Sequence, residues 1–402
     1  MGWSMSVTEQ YDAFPYPARD PKDEAKRLII GSPSHPLEID HFLFAGQRDW
    51  SKPIKILVAG GGTGDALIQM AQVLTSVGAP YEMTYLDLSI SARAIAEDRA
   101  KVRKLTGITF VTGSLLEAPD LGSFDYIDCC GVLHHLPEPQ LGFDALAAAV
   151  TPDGGMGLMV YAPIGRSGVY PLQEAFGTLL QGSPQERLRH AKTIYDRIPA
   201  SHPFKRNQMV RDHEESDAGF YDLLLHSQDR PYSIRQLHDA LAAAGLEITG
   251  FPQAALYDPS FVVPEPHLLV GLDAITRMEI AEQLGGSLKT HIVYAAKTSN
   301  GRTAKASPRS VPHLKGVKGA RMASHVGKNG ILPVSLGPLK FQVPISAVAA
   351  RLLVHVDGRK TLAEIAQLAK LDPLAFNALW SSMSDDLVKF GLLYYSRLQR
   401  TT

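Results

Sequence analysis

Residues 54–65 read IKILVAGGGTGD: a short apolar run, a turn with glycines at 60, 62 and 64, and an acid that opens the next segment. The apolar run predicts a buried strand, and the apolar period from Asp65 to Val77 predicts a helix behind it. Glycines in such a turn let the backbone approach a ligand closely, and the helix N-terminus adds oriented N–H groups. The stretch therefore indicates a ligand-binding turn, and a merely tight turn between strand and helix is the alternative.

The alternation of strand and helix continues along the chain. Further strands are predicted over 81–86, 108–111, 124–130, 157–161, 246–251 and 291–296, and further helices over 89–105, 140–150 and 268–284. Strands that alternate with helices form βαβ units and a parallel sheet. The sequence therefore predicts the α/β class, with a Rossmann-like sheet of seven mostly parallel strands.

Composition shifts divide the chain into four parts. Residues 1–50 are rich in proline and aromatic residues and predict an irregular arm with a short helix over 23–30. Residues 51–298 hold the sheet, and a helical insertion over 163–240 is expected to form a lid. Residues 299–330 have the composition of a basic linker. Residues 331–402 predict a small domain of three helices and a strand.

The overall composition excludes several classes of protein. The 402 residues are 45% hydrophobic and 20% charged, with a net charge of −1, so the whole molecule offers no strong field for nucleic acid or membrane. Its two cysteines, Cys129 and Cys130, are adjacent and build no disulfide framework. Without a signal-like or membrane-spanning segment, we expect a soluble, cytoplasmic protein. The sequence leaves open whether the chain forms a homo-oligomer.

A carboxylate adds to the case for a ligand at the turn. Asp87 stands at the end of the second predicted strand, 23 residues after Gly64. In Rossmann-like folds an acid at this place binds ribose hydroxyls. We interpret Asp87 in that way, and a simple helix cap is the alternative.

Four ordered motifs resemble class I S-adenosylmethionine-dependent methyltransferases. The glycine turn with Asp87 comes first, and it is followed by 110–115 (FVTGSL), 124–137 (FDYIDCCGVLHHLP) and 151–155 (TPDGG). The resemblance is close over roughly 50–165 and is of the methyltransferase type 12 kind. Residues 10–17 and 220–226 are more loosely similar to a subgroup that is sometimes fused to tetratricopeptide repeats.

The resemblance implies S-adenosyl-L-methionine as the cofactor. The residues that it assigns to cofactor binding are Gly60, Gly61, Gly62, Thr63, Gly64, Asp87, Leu88, Ser114, Leu115 and Gly131. Two positions depart from the family pattern. Val58 stands where the family often carries an acid, so the hydrogen bonding near the methionine end of the cofactor must come from elsewhere. Ser114 replaces a frequent Asp that reaches the adenine amine, and a hydroxyl accepts more weakly than a carboxylate.

Three residues are candidates for the acceptor side. His134 and His135 follow the fourth strand, where acceptors meet the methyl group in this fold, and either could act as a base near neutral pH. Tyr161 ends the fifth strand. Packing or capping is the alternative role for the histidines. No third ligand has recognisable spacing, so no metal site is predicted.

The resemblance implies methyl transfer by in-line displacement to a small-molecule or peptide acceptor, for which a general base is optional. A non-catalytic S-adenosylmethionine-binding protein, with a regulatory or partner-binding role, is the alternative. A dehydrogenase is disfavoured because Asp65 replaces the third glycine of G-x-G-x-x-G.

The C-terminal part resembles a winged helix. Residues 289–356 contain eleven Lys and Arg and no Asp or Glu. The candidate recognition helix, 373–389, carries Asp385, Asp386 and one lysine, which argues against nucleic acid as a partner. We expect this part to bind an acidic peptide, a protein, or the methyltransferase domain of its own or a neighbouring chain, with an affinity that falls as salt rises.

Overall fold

A computed structural model describes residues 13–30, 34–326 and 329–399. Its main sheet has seven strands in the order β3-β2-β1-β4-β5-β7-β6, with β7 antiparallel to both of its neighbours. The strands are β1 (Ile54–Ala59), β2 (Tyr81–Asp87), β3 (Ile108–Thr112), β4 (Phe124–Cys130), β5 (Val150–Tyr161), β6 (Glu247–Gly250) and β7 (Thr290–Ala296). The predicted fold class and the seven predicted strands are confirmed, with β5 beginning seven residues earlier than expected.

Helices cover both faces of this sheet. One face packs against α1 (Pro36–Leu43), α2 (Asp65–Val77) and α3 (Ile90–Val102), and the other against α4 (Pro139–Ala149) and α10 (Ile234–Ala243). The alternation of buried residues explains the two cores, since Val58 faces the first set of helices and Leu57 the second. The chain order reverses between β1 and β4, and ligands bind outside the carboxyl ends of the strands at such a point.

The insertion between β5 and β6 is helical. It contains α5 (Val169–Leu179), α6 (Pro184–Arg197), α7 (Pro203–Arg206), α8 (Asp212–Glu215) and α9 (Asp217–Leu225) before α10. A core of its own, which includes Phe176, Phe204 and Phe220, holds these helices together. Helix α11 (Ala274–Gly285) follows β6 and begins six residues later than the sequence pattern predicted.

The N-terminal arm differs in detail from the sequence prediction. A 3₁₀ helix spans Pro21–Ala25 instead of a helix over 23–30, and the short helix α1 was not predicted. Asp20 caps the 3₁₀ helix, and the buried Glu24 side chain in its last turn pairs with the buried Arg99 at 2.7 Å. This ion pair holds the arm against helix α3.

The C-terminal part has more regular structure than predicted. The expected linker 299–330 contains β8 (Pro312–Leu314) and α12 (Gly319–Val326), and an unpredicted hairpin joins β9 (Ile331–Leu336) to β10 (Leu339–Pro344). Helices α13 (Ala347–Ala350), α14 (Leu362–Leu368) and α15 (Pro373–Lys389) follow, and β11 (Leu393–Tyr395) pairs with β8. The domain boundaries and the winged-helix resemblance stay predictions.

This C-terminal module is attached to the sheet domain through buried polar contacts. The buried Glu38 of α1 pairs with Lys315, and Asp40 accepts hydrogen bonds from the Ser396 hydroxyl at 2.6 Å and the Arg397 amide at 2.9 Å. Among the described residues, no helix is both long enough and apolar enough to cross a membrane.

Candidate functional site

A cavity of about 1170 Å³ opens at the carboxyl ends of β1, β2, β4 and β5. Its walls come from the glycine turn, the ends of these strands, the arm and the helical insertion. Eight of the ten residues assigned to the cofactor line it: Gly60, Gly61, Gly62, Asp87, Leu88, Ser114, Leu115 and Gly131. The assigned residues are thus brought together at one site, and their role in binding stays a prediction.

The glycine turn is shaped by positions that a side chain cannot occupy. Gly60 has φ +71°, and a Cβ atom there would lie 2.3 Å from Cγ2 of Val132. Gly62 has φ +50°, and its Cβ would lie 3.0 Å from the Tyr16 carbonyl oxygen. Both positions need glycine for conformation and for space. The bare backbone that results is open to a ligand in the cavity.

Asp87 organises the rim of the cavity. One carboxylate oxygen accepts a hydrogen bond from the Gly62 amide at 2.7 Å, and the other accepts one from the Ser89 amide at 2.8 Å. The carboxylate therefore ties the glycine turn to the start of α3, where Ser89, not Asp87, is the helix cap. The Asp87 carboxylate also lines the cavity, where an acid can accept hydrogen bonds from ligand hydroxyls.

The other assigned cofactor residues have structural contacts of their own. The Ser114 hydroxyl accepts the Leu116 amide at 3.2 Å and so caps the 3₁₀ helix Leu115–Leu121. Thr63 and Gly64 are not among the residues that line the cavity. Thr63 donates to the Pro17 carbonyl at 2.7 Å, and Gly64 is the N-cap of α2.

The arm closes over the glycine turn. Residues 16–19 line the cavity, and Arg19 makes two hydrogen bonds to the Asp65 carboxylate, at 2.6 and 2.9 Å. The Tyr16 hydroxyl donates to Asp212 of the insertion at 3.1 Å. Burial would raise the pKa of Asp65, but its bonds and charge contacts with Arg19 and with Arg99 outweigh that effect and lower it. The arm is therefore fastened to both sides of the cavity.

The two candidate histidines have different environments. His135 lines the cavity, and its Nδ1 lies 2.8 Å from the Gln228 carbonyl oxygen. A carbonyl can only accept, so in the neutral ring Nδ1 carries the hydrogen and Nε2 keeps a lone pair. His134 is buried, neither of its ring nitrogens has a hydrogen-bond partner among the described residues, and burial lowers its pKa well below the usual value. His135 is therefore the better placed base.

Tyr161 is placed as a hydrogen-bond donor. Its hydroxyl donates to Asp222 of the insertion at 3.3 Å, and the Arg166 guanidinium lies 3.6 Å from its ring centroid. Burial and the nearby carboxylate of Asp222 raise its pKa well above 10. Tyr161 therefore stays protonated and can orient an acceptor without taking its proton.

Two groups of described side chains have ligand atoms within 4.8 Å of one another, but neither suits a metal. The first group is His135, Asp222 and His226, in which the two histidine rings stack with centroids 3.8 Å apart and 19° between the ring planes. Nearly parallel rings point their lone pairs side by side, so one ion cannot lie in both ring planes. The second group is His134, His135 and Asp229, and the Asp229 carboxylate already pairs with Arg166 at 3.5 Å.

The cavity also contains residues that sequence reasoning missed. They are Asp128 and Cys130 on β4, Asp212 and Gln228 in the insertion, and Lys289 and Thr290 at the start of β7. Asp128 lies inside the quoted fourth-strand motif, but only the pairing of strands brings its position into the cavity. The insertion residues could not be assigned because helix packing, not spacing, brings them to the site.

Comparisons with known proteins agree with this architecture. A family model described as a methyltransferase domain matches residues 57–156. An uncharacterized protein of Synechococcus sp. is 31% identical over 264 residues, which are 64% of this chain and 62% of that protein. The chain thus aligns with less than two thirds of that relative's length.

Two solved structures share the fold over most of the chain. PKMT2 from Rickettsia typhi in complex with AdoHcy has a TM-score of 0.62 at 14% identity, covering 90% of this chain and 75% of that one. Another PKMT2 structure has a TM-score of 0.61 at 15% identity and covers 98% and 77%. The methyltransferase fold predicted from the motifs is confirmed.

Proposed function

We propose that this chain, whose residues 57–156 carry a methyltransferase domain, is an S-adenosylmethionine-dependent methyltransferase acting on a small-molecule or peptide acceptor. The observation that carries the proposal is that one cavity is lined by the glycine turn and Asp87 and also by His135 and Tyr161. Its volume of about 1170 Å³ is above the ~300–1,000 Å³ of an ordinary ligand pocket, so cofactor and acceptor both have room.

The residues present suit the cofactor that the motifs imply. Gly60 and Gly62 carry no side chains, so their backbone leaves space for a close approach, and Asp87 offers a carboxylate that suits ribose hydroxyls. Leu88, Ser114 and Leu115 form the adjoining wall, where the Ser114 hydroxyl and apolar side chains suit a purine. When bound, S-adenosylmethionine supplies a methyl group already activated by the sulfonium charge.

The remaining task of the protein is to orient the acceptor and exclude water. The Tyr161 hydroxyl and the Asp222 carboxylate line the acceptor side and are held together by their hydrogen bond. The lone pair of His135 Nε2 can receive a proton from an acceptor that must lose one. The arm and the insertion, joined by Tyr16 and Asp212, cover the cavity.

The test is methyl transfer by the full chain. The protein is incubated with S-adenosylmethionine labelled in its methyl group, together with small-molecule and peptide pools, and labelled products are identified by mass spectrometry. We expect a labelled product whose formation falls strongly in His135→Gln and little in the matched variant His134→Gln. Tight cofactor binding without any transfer would favour the non-catalytic alternative.

A further inference from the structure

The acid that is missing from the first strand has a counterpart on the fourth. Val58 of β1 is the register partner of Asp128 of β4, and both residues line the cavity. Neighbouring parallel strands lie about 4.8 Å apart, and partners in register present their side chains on the same face. Asp128 therefore brings a carboxylate to the place that Val58 leaves without one.

The Asp128 carboxylate is buried but only partly satisfied. The residue is 2% exposed, and both described hydrogen bonds to it, from the Ser34 hydroxyl and from Cys130 Sγ at 3.4 Å, go to Oδ2. No described residue donates to Oδ1, and no described cationic side chain pairs with this carboxylate. Burial without a cation raises the pKa of Asp128 to about 7. Buried carboxylates are normally paired, so a cation from a ligand is the missing partner.

The position of Asp128 selects which cation it receives. It lies at the reversal of strand order, with Asp87 on the far side of β1 and thus about 10 Å away across two strand spacings. A ligand held by its ribose at Asp87 would therefore extend its other end toward Asp128. S-adenosylmethionine carries two cations, a sulfonium and an ammonium. Only the ammonium can donate a hydrogen bond to Oδ1.

We propose that Asp128 on the fourth strand binds the α-ammonium group of the cofactor's amino-acid end, in place of an acid at position 58 on the first strand. The inference rests on the proposed function, since it takes the ligand from there. Val58 then contributes only apolar packing, and Cys130 and Ser34 hold the carboxylate in place.

The test compares two ligands that differ in the amino-acid end. S-adenosylhomocysteine has the ammonium group, and 5′-methylthioadenosine lacks the whole amino-acid end. In calorimetric titrations of the full chain, Asp128→Asn should weaken S-adenosylhomocysteine binding roughly tenfold to a hundredfold. The affinity for 5′-methylthioadenosine should stay within about twofold of the wild type.

Two further variants keep the test sharp. Asp125→Asn removes a carboxylate from the same strand outside the cavity and should leave both affinities unchanged. Val58→Asp combined with Asp128→Asn should restore part of the lost S-adenosylhomocysteine affinity. Equal weakening of both ligands, or no weakening of either, in a folded Asp128→Asn protein would overturn the proposal. If the wild type binds neither ligand, the proposed function itself fails.

Discussion

Asp87 has a structural role and a proposed role in cofactor binding, and a single substitution tests the second. Its carboxylate holds the Gly62 and Ser89 amides and faces the cavity. Loss of paired bonds to two ribose hydroxyls should cost about 2–3 kcal/mol, because hydrogen bonds to charged groups contribute ~1.5–3 kcal/mol. We expect Asp87→Ala to weaken S-adenosylmethionine binding about 30- to 150-fold by calorimetry. Unchanged affinity in a variant with a wild-type circular dichroism spectrum would refute the assignment.

The ionisation of Asp128 should make the affinity for the cofactor depend on pH. Its pKa is raised to about 7 by burial, whereas the pKa values of its neighbours Tyr126 and Cys130 are raised well above their usual values, so these two stay protonated. The ammonium group requires the ionised carboxylate, so affinity should be full above pH 7 and lost as the pH falls.

The expected decline is about tenfold per pH unit below pH 7, because one proton must leave for binding. Titration with S-adenosylhomocysteine between pH 5.5 and 8 measures it, and Asp128→Asn is the control that should flatten the curve. A wild-type affinity that does not change over this range would contradict the prediction.

At the scale of elements, the pair of Arg19 with Asp65 is one of the contacts that hold the arm over the cavity. Arg19 and Asp65 have side-chain exposures of 27% and 20%, so water screens their pair only in part. We expect Arg19→Ala to release the cofactor about 5- to 30-fold faster, because the closed position of the arm loses about 1–2 kcal/mol of stabilisation. Stopped-flow dissociation measures this rate. The exposed Lys22→Ala is the matched control, and equal rates in both variants would show that the arm does not retain the ligand.

Individual elements show what could be predicted from sequence and what could not. The limits of α2 and α15 were predicted to the residue, because apolar period and terminal residues mark them locally. Thr361 and Glu364 form a capping box at the start of α14, and their spacing in the sequence is typical of one. The β9–β10 hairpin was missed, because its two short runs are interrupted by Pro333, Pro338 and Pro344, and proline argues against a strand.

In the site, too, the residues marked by local sequence spacing were predictable and the others were not. Gly60, Gly62 and Asp87 come from one strand–turn–helix unit and the next strand, so spacing was enough to find them. Asp128 depends on the pairing of β1 with β4, which are separated by more than sixty residues, and Asp222 depends on how α9 packs. Register and helix packing are properties of the folded chain, and no local pattern encodes them.

At the scale of the whole molecule, the C-terminal module and the sheet domain form one structure. The sequence predicts that the C-terminal part binds an acidic peptide, a protein, or the methyltransferase domain of its own or a neighbouring chain, less tightly as salt rises. The observed contacts centre on buried carboxylates of α1, one of which, Glu38, pairs with Lys315 of that basic segment, and salt screens buried groups weakly. We therefore expect the attachment to persist at high salt.

Asp40 offers a direct check of that attachment. Its carboxylate accepts hydrogen bonds from Ser396, Arg397, the Trp50 indole and the Arg48 amide. Asp40→Ala leaves these donors unpaired, so we expect it to lower the free energy of unfolding by about 3 kcal/mol or more and the Tm by at least roughly 3–4 °C. Scanning calorimetry measures the change, and Asp49→Ala is the exposed control. A Tm equal to that of the control would contradict the prediction.

One calorimetric experiment on the full wild-type chain tests the proposed activity most directly, because each competing function takes a different ligand. The chain is titrated in parallel with S-adenosylmethionine, S-adenosylhomocysteine and NAD. We predict saturable, one-to-one binding of the first two and none of NAD, since Asp65 and its partner Arg19 occupy the place where a dinucleotide turn needs its third glycine. Binding of NAD without binding of either sulfur compound would contradict the assignment as a methyltransferase.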